Sequence, residues 1–244
     1  MLDSDKRVGN QLIGVETKTV ERLPTGCQPI DSLLEGGIEK GIISNIYGES
    51  GTGKTNFCIQ IAKQVAEEGQ TPVYIDTEGG FSPERFLQMS TEKALERLLY
   101  REATSFEEQI EVVKELEQME IPDLGGIIVD SAVSLYRLNV NGDNASEVNQ
   151  KLSQQLSKLS KIARNHNIPV LVTNQVYTSF DEDNMELVGR DVPRYWSKSL
   201  IKLSEKDGKR VLEVAKHRSL PEGISTQFKI TDAGMVAPEE QSLF

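Results

Sequence analysis

Apolar and polar positions along the chain alternate between two periods. Short apolar runs at residues 42–47, 72–76, 126–130 and 168–174, and a weaker one at 98–103, have the length and β-branched content of buried strands. Between them lie polar segments with an apolar residue every three or four positions. Residues 55–68 carry Phe57, Ile61 and Val65 on one stripe, and residues 106–119 carry Ile110, Val113 and the cluster 116–119. Residues 145–166 carry Val148, Leu152, Leu156, Leu159 and Ile162 with Ala163 on one face. Strands alternating with amphipathic helices predict right-handed βαβ units, hence an α/β fold with a mostly parallel central sheet flanked by helices. The pattern changes near Tyr177. Runs at 200–203, 211–215 and 226–230 lie too close together for helical crossovers, and Asp207-Gly208 between the first two is a hairpin signal. Antiparallel strands are therefore expected at the C-terminal end of the sheet. Residues 176–198 show no period and read as a long loop, of the kind that tends to carry function. The expected organisation is a short N-terminal segment at 1–22, one core at 23–236 and a tail at 237–244.

Composition narrows the class. The 244 residues are 37% hydrophobic and 27% charged, enough apolar material for a sizeable core and too much for a disordered chain. No apolar run reaches the length of a membrane span, and the N-terminal charges are followed by no apolar stretch of a signal peptide. Two cysteines, Cys27 and Cys58, sit in unrelated contexts without metal-ligand spacing, so a reducing cytosol is the expected compartment. Cys58 falls in the apolar stripe of its helix and reads as a small core residue.

The chemistry begins at residues 48–55. Gly48, Glu49, Ser50, Gly51, Thr52, Gly53, Lys54 and Thr55 match G-x-x-x-x-G-K-[ST], after a predicted strand and opening a predicted helix. Glycines let backbone N–H groups curl round an anion, the helix N-terminus adds positive potential, and Lys54 adds a full charge. The Thr55 hydroxyl would ligate Mg²⁺. A second metal-holding carboxylate is expected from Asp130, at the end of Gly126-Ile-Ile-Val-Asp130-Ser131. Tyr74-Ile-Asp76-Thr77-Glu78-Gly79 ends a neighbouring strand in carboxylates. Glu78, beside two glycines, is the candidate general base, with Asp76 supporting it, because a parallel sheet gathers its strand ends at one edge. Gln175 ends a third strand, where an amide could sense the γ-phosphate.

Together these pieces resemble the RecA/RadA recombinase superfamily, and within it the archaeal RadB branch, a paralogue group of RadA. The likeness is carried by Leu23-Pro-Thr-Gly26-Cys-Gln-Pro-Ile-Asp31-Ser-Leu-Leu-Glu-Gly-Gly37-Ile and the P-loop. It continues through Tyr74-Ile-Asp-Thr-Glu-Gly with Phe81-Ser-Pro-Glu-Arg85, Ile128-Val-Asp-Ser131 and Val172-Thr-Asn-Gln-Val176, in the family's order. The resemblance implies a RecA-like core that binds ATP with Mg²⁺. The P-loop residues and the following Asn56 would surround the nucleotide, with Arg85 against the adenine and Glu78 activating water. It places Gln175 at the root of a DNA-facing loop. Such proteins are understood as accessory factors of recombination with weak ATPase activity, so DNA, a RadA-type recombinase and a junction nuclease are the implied partners. Three departures separate the chain from a strand-exchange recombinase, one being that the loops after Asp130 and Gln175 look short or different for such an enzyme. Only some twenty residues precede the core in place of a helical N-terminal domain, and the first phenylalanine is Phe57, so any homo-oligomer would lack a Phe-x-x-Ala tether. Lys216-His217-Arg218 follows the strand at 211–215, at a point where KaiC-like ATPases place cations that reach a neighbour's γ-phosphate. A regulatory ATPase of that kind, or an ATP-switched interaction protein docking on a recombinase or nuclease, is the competing expectation.

Charge changes the picture last. Net charge is −11, which on average opposes nucleic-acid binding. Residues 190–218 nevertheless hold nine cations against four acids, whereas 84–123 hold eleven acids against five cations. The sole tryptophan, Trp196, lies in the basic stretch beside Tyr195, where an aromatic could stack on unpaired bases. Arg190, Arg194, Trp196 and Lys198 are thus the candidate contacts to single-stranded DNA, salt-sensitive and weak, with core packing as the other role open to Trp196.

Overall fold

The computed structural model describes residues 19–178, 185–189 and 191–238. Strand β1 (Arg22–Leu23) is followed by helix α1 (Gln28–Leu33), and β2 (Ile38–Glu39) pairs back onto β1 as a small antiparallel hairpin. Asp31 folds the turn before α1, its carboxylate accepting the Thr25 and Gly26 amides and the Thr25 hydroxyl. The core then runs β3 (Ile43–Gly48), α2 (Lys54–Glu67), β4 (Thr71–Asp76), α3 (Pro83–Met89), α4 (Glu92–Leu95), β5 (Leu99–Glu102), α5 (Phe106–Gln118) and β6 (Leu124–Asp130). It continues through α6 (Ser134–Asn139), α7 (Ala145–His166), β7 (Val170–Thr178), β8 (Met185–Leu187), α8 (Asp191–Trp196), β9 (Ser199–Lys206), β10 (Lys209–His217), β11 (Ser225–Thr231) and β12 (Gly234–Val236). Ser82, Thr91 and Ser105 cap α3, α4 and α5 through side-chain oxygens that accept the N3 amide, the expected device for orphan N–H groups.

The main sheet has the order β12-β11-β10-β9-β3-β7-β6-β4-β5, with β8 off that path against β7. Strands β9, β3, β7, β6, β4 and β5 are mutually parallel, and β10, β11 and β12 extend them antiparallel. Alternate residues of β4 and β6 enter two separate cores. Tyr74 and Ile128 face the core beneath α2, while Val73, Ile75, Ile127 and Val129 face the one beneath α5 and α7. Both faces are covered, which is why these strands read as unbroken apolar runs. Pro72 is tolerated inside β4 because the register slips there, between Thr71 and Pro72.

The fold class read from the sequence is the one observed. One reading is corrected: residues 176–198 are not a single loop. Strand β7 runs on to Thr178, β8 returns against it, and α8 occupies 191–196. Strand pairing sets β7 and β8 and packing on α7 sets α8, and the local periodicity carries no trace of them. The short elements β1, β2, α1, α3, α4, α6 and β12 also escaped a periodicity reading, since two to seven residues are too few to show a period.

Candidate nucleotide site

Parallel pairing fixes which strand ends meet. Gly48 stands level with Gln175, and Asp76 with Asp130. Four sequence-distant signals therefore converge on one edge, where the P-loop leaves β3 and enters α2. The turn demands glycine at both ends. Gly48 has φ +157, and a Cβ there would lie 2.1 Å from the Leu203 carbonyl oxygen of β9. Gly53 has φ +105 and would meet the Ile230 side chain at 2.7 Å.

The loop carbonyls are held by donors. Lys54 Nζ donates to the Gly48 and Glu49 carbonyls at 2.9 and 2.8 Å, the buried Thr52 hydroxyl to Glu49 at 2.9 Å, and Arg210 Nη1 to Gly51 at 2.7 Å. Desolvation pushes the Lys54 ammonium below its ordinary pKa, with Asp130 and Glu78 pulling the other way. This charge is short of water and gains most from an arriving anion.

Asp130 is 3% exposed, and both its oxygens are engaged: the Tyr74 hydroxyl donates at 2.9 Å and the Thr173 hydroxyl at 2.6 Å. Burial and Asp130 in turn push the Tyr74 phenol well above its ordinary value. Among the described residues no cluster of three or more His, Cys, Asp or Glu could hold a metal ion by itself.

Glu78 stands at the solvent rim, its carboxylate accepting from Gln175 Nε2 at 2.8 Å. Desolvation, then Asp130, raise its pKa above the ordinary carboxylate value. Beneath it Asp76, fully buried, accepts the amides of Glu78, Gly79, Gly80 and Phe81 at 2.9–3.2 Å and the Tyr100 hydroxyl at 3.3 Å. Asp76 thus shapes the loop on which Glu78 stands. Arg85 donates to Asn56 Oδ1 at 2.8 Å and to the carbonyl oxygens of Thr231 and Asp232, lying between α2 and the β11–β12 turn.

The remaining candidates lie elsewhere. Strand β10 runs antiparallel to β9, so His217 pairs with Ser199 at the far end of the sheet from the P-loop. Lys216 there donates to the Arg194 and Ser197 carbonyls, and Arg218 pairs with the fully buried Glu39, which His217 Nε2 also approaches at 3.5 Å. Neither Lys216 nor Arg218 lies at the sheet edge that carries this chain's P-loop. Trp196 is half-buried against the α7 core, and its indole N–H donates to Ser153 at 2.9 Å. Its neighbour Tyr195 is 70% exposed, with Lys198 Nζ 5.8 Å from the ring centroid. Of the adjacent aromatics, Tyr195 is the one presented to solvent. Arg194 and Lys198 are exposed, and Arg190 lies outside the described residues. Sequence reading missed Tyr74 and Thr173 as holders of Asp130, and Arg210. The first two each lie two residues before one that it did select, Asp76 and Gln175.

A parallel sheet with a P-loop at its carboxyl edge, carboxylates at adjacent strand ends and antiparallel C-terminal strands is the RecA-like fold. The chain belongs to the Rad51 family, whose model matches residues 16–238. It is 41% identical over 226 residues to the DNA repair and recombination protein RadB of Methanobrevibacter smithii, covering 88% of this chain and 95% of that one. It is 38% identical over 224 residues to RadB of Methanococcoides burtonii, covering 89% and 99%. A solved structure, the crystal structure of the RadB recombinase, superposes with a TM-score of 0.77 at 35% identity, covering 89% of this chain and all of that one. No helix among the described residues is long and apolar enough to cross a membrane.

Proposed function

We propose that this chain is an ATP-binding accessory protein of DNA recombination and repair, with slow ATPase activity and a weak, salt-sensitive contact to single-stranded DNA. The observation that carries the reading is the registered meeting of the P-loop, Asp130 and the Glu78–Gln175 pair at one sheet edge. Its names among relatives, all DNA repair and recombination proteins, supply the process. The glycine-rich loop would take the phosphates, Lys54 exchanging its carbonyl partners for them, and Arg85 with the β11–β12 turn would border the base. Thr55 and Asp130 would hold Mg²⁺, which neutralises phosphate charge when bound. Glu78, with its proton affinity raised, would orient and deprotonate water, and Gln175 links that carboxylate to β7 and the segment beyond it. On the DNA side, Arg194, Lys198 and the exposed Tyr195 are the contacts that the fold favours over Trp196. A RadA-type recombinase is the expected protein partner.

The test is a joint titration of ATP and single-stranded DNA at two salt concentrations. Lys54→Ala should abolish ATP binding, and unchanged affinity would sink the nucleotide reading. DNA retention should fall steeply as salt rises and weaken in a Tyr195→Ala, Lys198→Ala double variant. No retention at low salt removes the DNA half. A second reading, in which ATP only switches docking on a partner protein, draws on the internal engagement of Lys216 and Arg218, and nucleotide-dependent capture of the recombinase with no turnover would favour it.

A further inference from the structure

We infer that Arg210, on the C-terminal antiparallel strands, is a positioning residue of the phosphate-binding loop. The inference rests on the nucleotide reading above and adds to it a residue outside every motif of the sequence. Strand β9 runs parallel to β3, so its carboxyl end emerges at the same edge as the P-loop, and Leu203 already lies against Gly48. The chain then turns at Asp207-Gly208 and re-enters as β10, which brings Arg210, level with Glu205, beside the loop. Arg210 is half-buried on the same sheet face as Leu212 and Val214, the face covered by α2. Its guanidinium donates to the Gly51 carbonyl at 2.7 Å.

That contact has a consequence for anion binding. A trans peptide unit is planar, with its C=O and the next residue's N–H pointing in opposite directions. Holding the Gly51 carbonyl outward therefore aims the Thr52 N–H the other way, into the concavity that a phosphate would fill. Gly51 needs such a holder. It sits at φ +79, a conformation open to glycine, and has no side chain of its own to anchor it. The Gly48 and Glu49 carbonyls are held by Lys54 and Thr52, which belong to the loop itself, and Lys54 is the group that a phosphate would draw away. Arg210 holds its carbonyl from outside, and can keep doing so with the anion in place. Its guanidinium, permanently charged and with four further N–H donors, also adds positive potential at the loop. The β9–β10 hairpin, whose tip carries Lys206 and Lys209, is thereby tied mechanically to the nucleotide loop.

The experiment compares ATP affinity, by titration of a fluorescent ATP analogue, in the full wild-type chain and in Arg210→Ala, Arg210→Lys and Lys54→Ala. Inorganic pyrophosphate serves as a competing probe of the phosphate loop alone. Losing one charge-assisted hydrogen bond that preorganises the loop should weaken ATP by about tenfold in Arg210→Ala. Pyrophosphate should weaken by the same factor, the melting temperature should stay within about 2 °C of wild type, and Arg210→Lys, which keeps a long-stemmed donor, should recover most of the loss. ATP affinity within twofold of wild type in Arg210→Ala, beside a Lys54→Ala variant that has lost binding, overturns the role of Arg210 and leaves the nucleotide reading standing. Weakened ATP with unchanged pyrophosphate also overturns it, since the contact would then act on the base or sugar. A wild-type chain that binds no ATP overturns both.

Discussion

Replacing Asp76 by Asn is the sharpest probe of how the Glu78 loop is built. The side chain is fully buried and isosteric with its replacement, so no cavity forms. One oxygen accepts the Glu78, Gly79 and Gly80 amides, and the other accepts the Phe81 amide and the Tyr100 hydroxyl. An Asn amide can keep its oxygen toward the first three, but its NH₂ must then face the Phe81 N–H, donor against donor. The Tyr100 hydroxyl can rotate and accept. The Phe81 amide loses its partner in a buried setting, which costs about 1–3 kcal/mol, and three charge-assisted bonds become neutral ones. Relief from burying a charge offsets part of that, leaving a net loss of about 3 kcal/mol. For a chain of this size that lowers the melting temperature by roughly 6–12 °C. Thermal melts by circular dichroism give the stability, and parallel assays give ATP affinity and turnover. Turnover should fall further than affinity, because the loop carries Glu78 whereas the phosphates rest on the separate P-loop. A melting temperature within 2 °C of wild type, or equal losses of affinity and turnover, refutes the reasoning.

Two further outcomes follow from single contacts. Arg218→Ala strands the buried Glu39 carboxylate with His217 as its one ion-pair partner among the described residues, and should cost about 2–4 kcal/mol by chemical denaturation, whereas adding Glu39→Leu to the same chain should restore most of the loss; an unchanged denaturation midpoint in Arg218→Ala would contradict this. The folded chain holds Glu78 above its ordinary value of 4.5, so the contribution of this group to stability is fullest below that value and is lost as pH rises through the folded pKa. Glu78→Gln keeps an acceptor for Gln175 and cannot ionise, so its melting temperature should gain on wild type as pH rises from 4.5 through the folded pKa and then level off, and a pH-independent difference would show that the carboxylate is not desolvated.

Much of this site was legible in one dimension because its parts are local. A P-loop is eight consecutive residues whose glycines and lysine act on a single anion, and Glu78 and Asp130 announce themselves as carboxylates closing apolar strands. The β–α alternation likewise exposed the fold class, since burial on both faces of a sheet and on one stripe of a helix imposes periods on the residues themselves. Other features belong to pairs of residues far apart, and no single window carries them. Trp196 and Tyr195 look interchangeable in a basic stretch, and only the packing of α8 on α7 sends one indole to Ser153 and leaves the phenol in solvent. Lys216 and Arg218 look suited to a phosphate, yet the antiparallel run of β10 carries them to the opposite end of the sheet. The same reversal brings Arg210, unremarked in the sequence, onto Gly51. The sequence by itself determined the long elements, the fold class and the chemistry of the phosphate loop, because these follow from local spacing. Strand order and direction decided which charges reach that loop and which hold the fold together, because they depend on partners outside any local window, such as Gly51 for Arg210 and Glu39 for Arg218, each more than a hundred residues away.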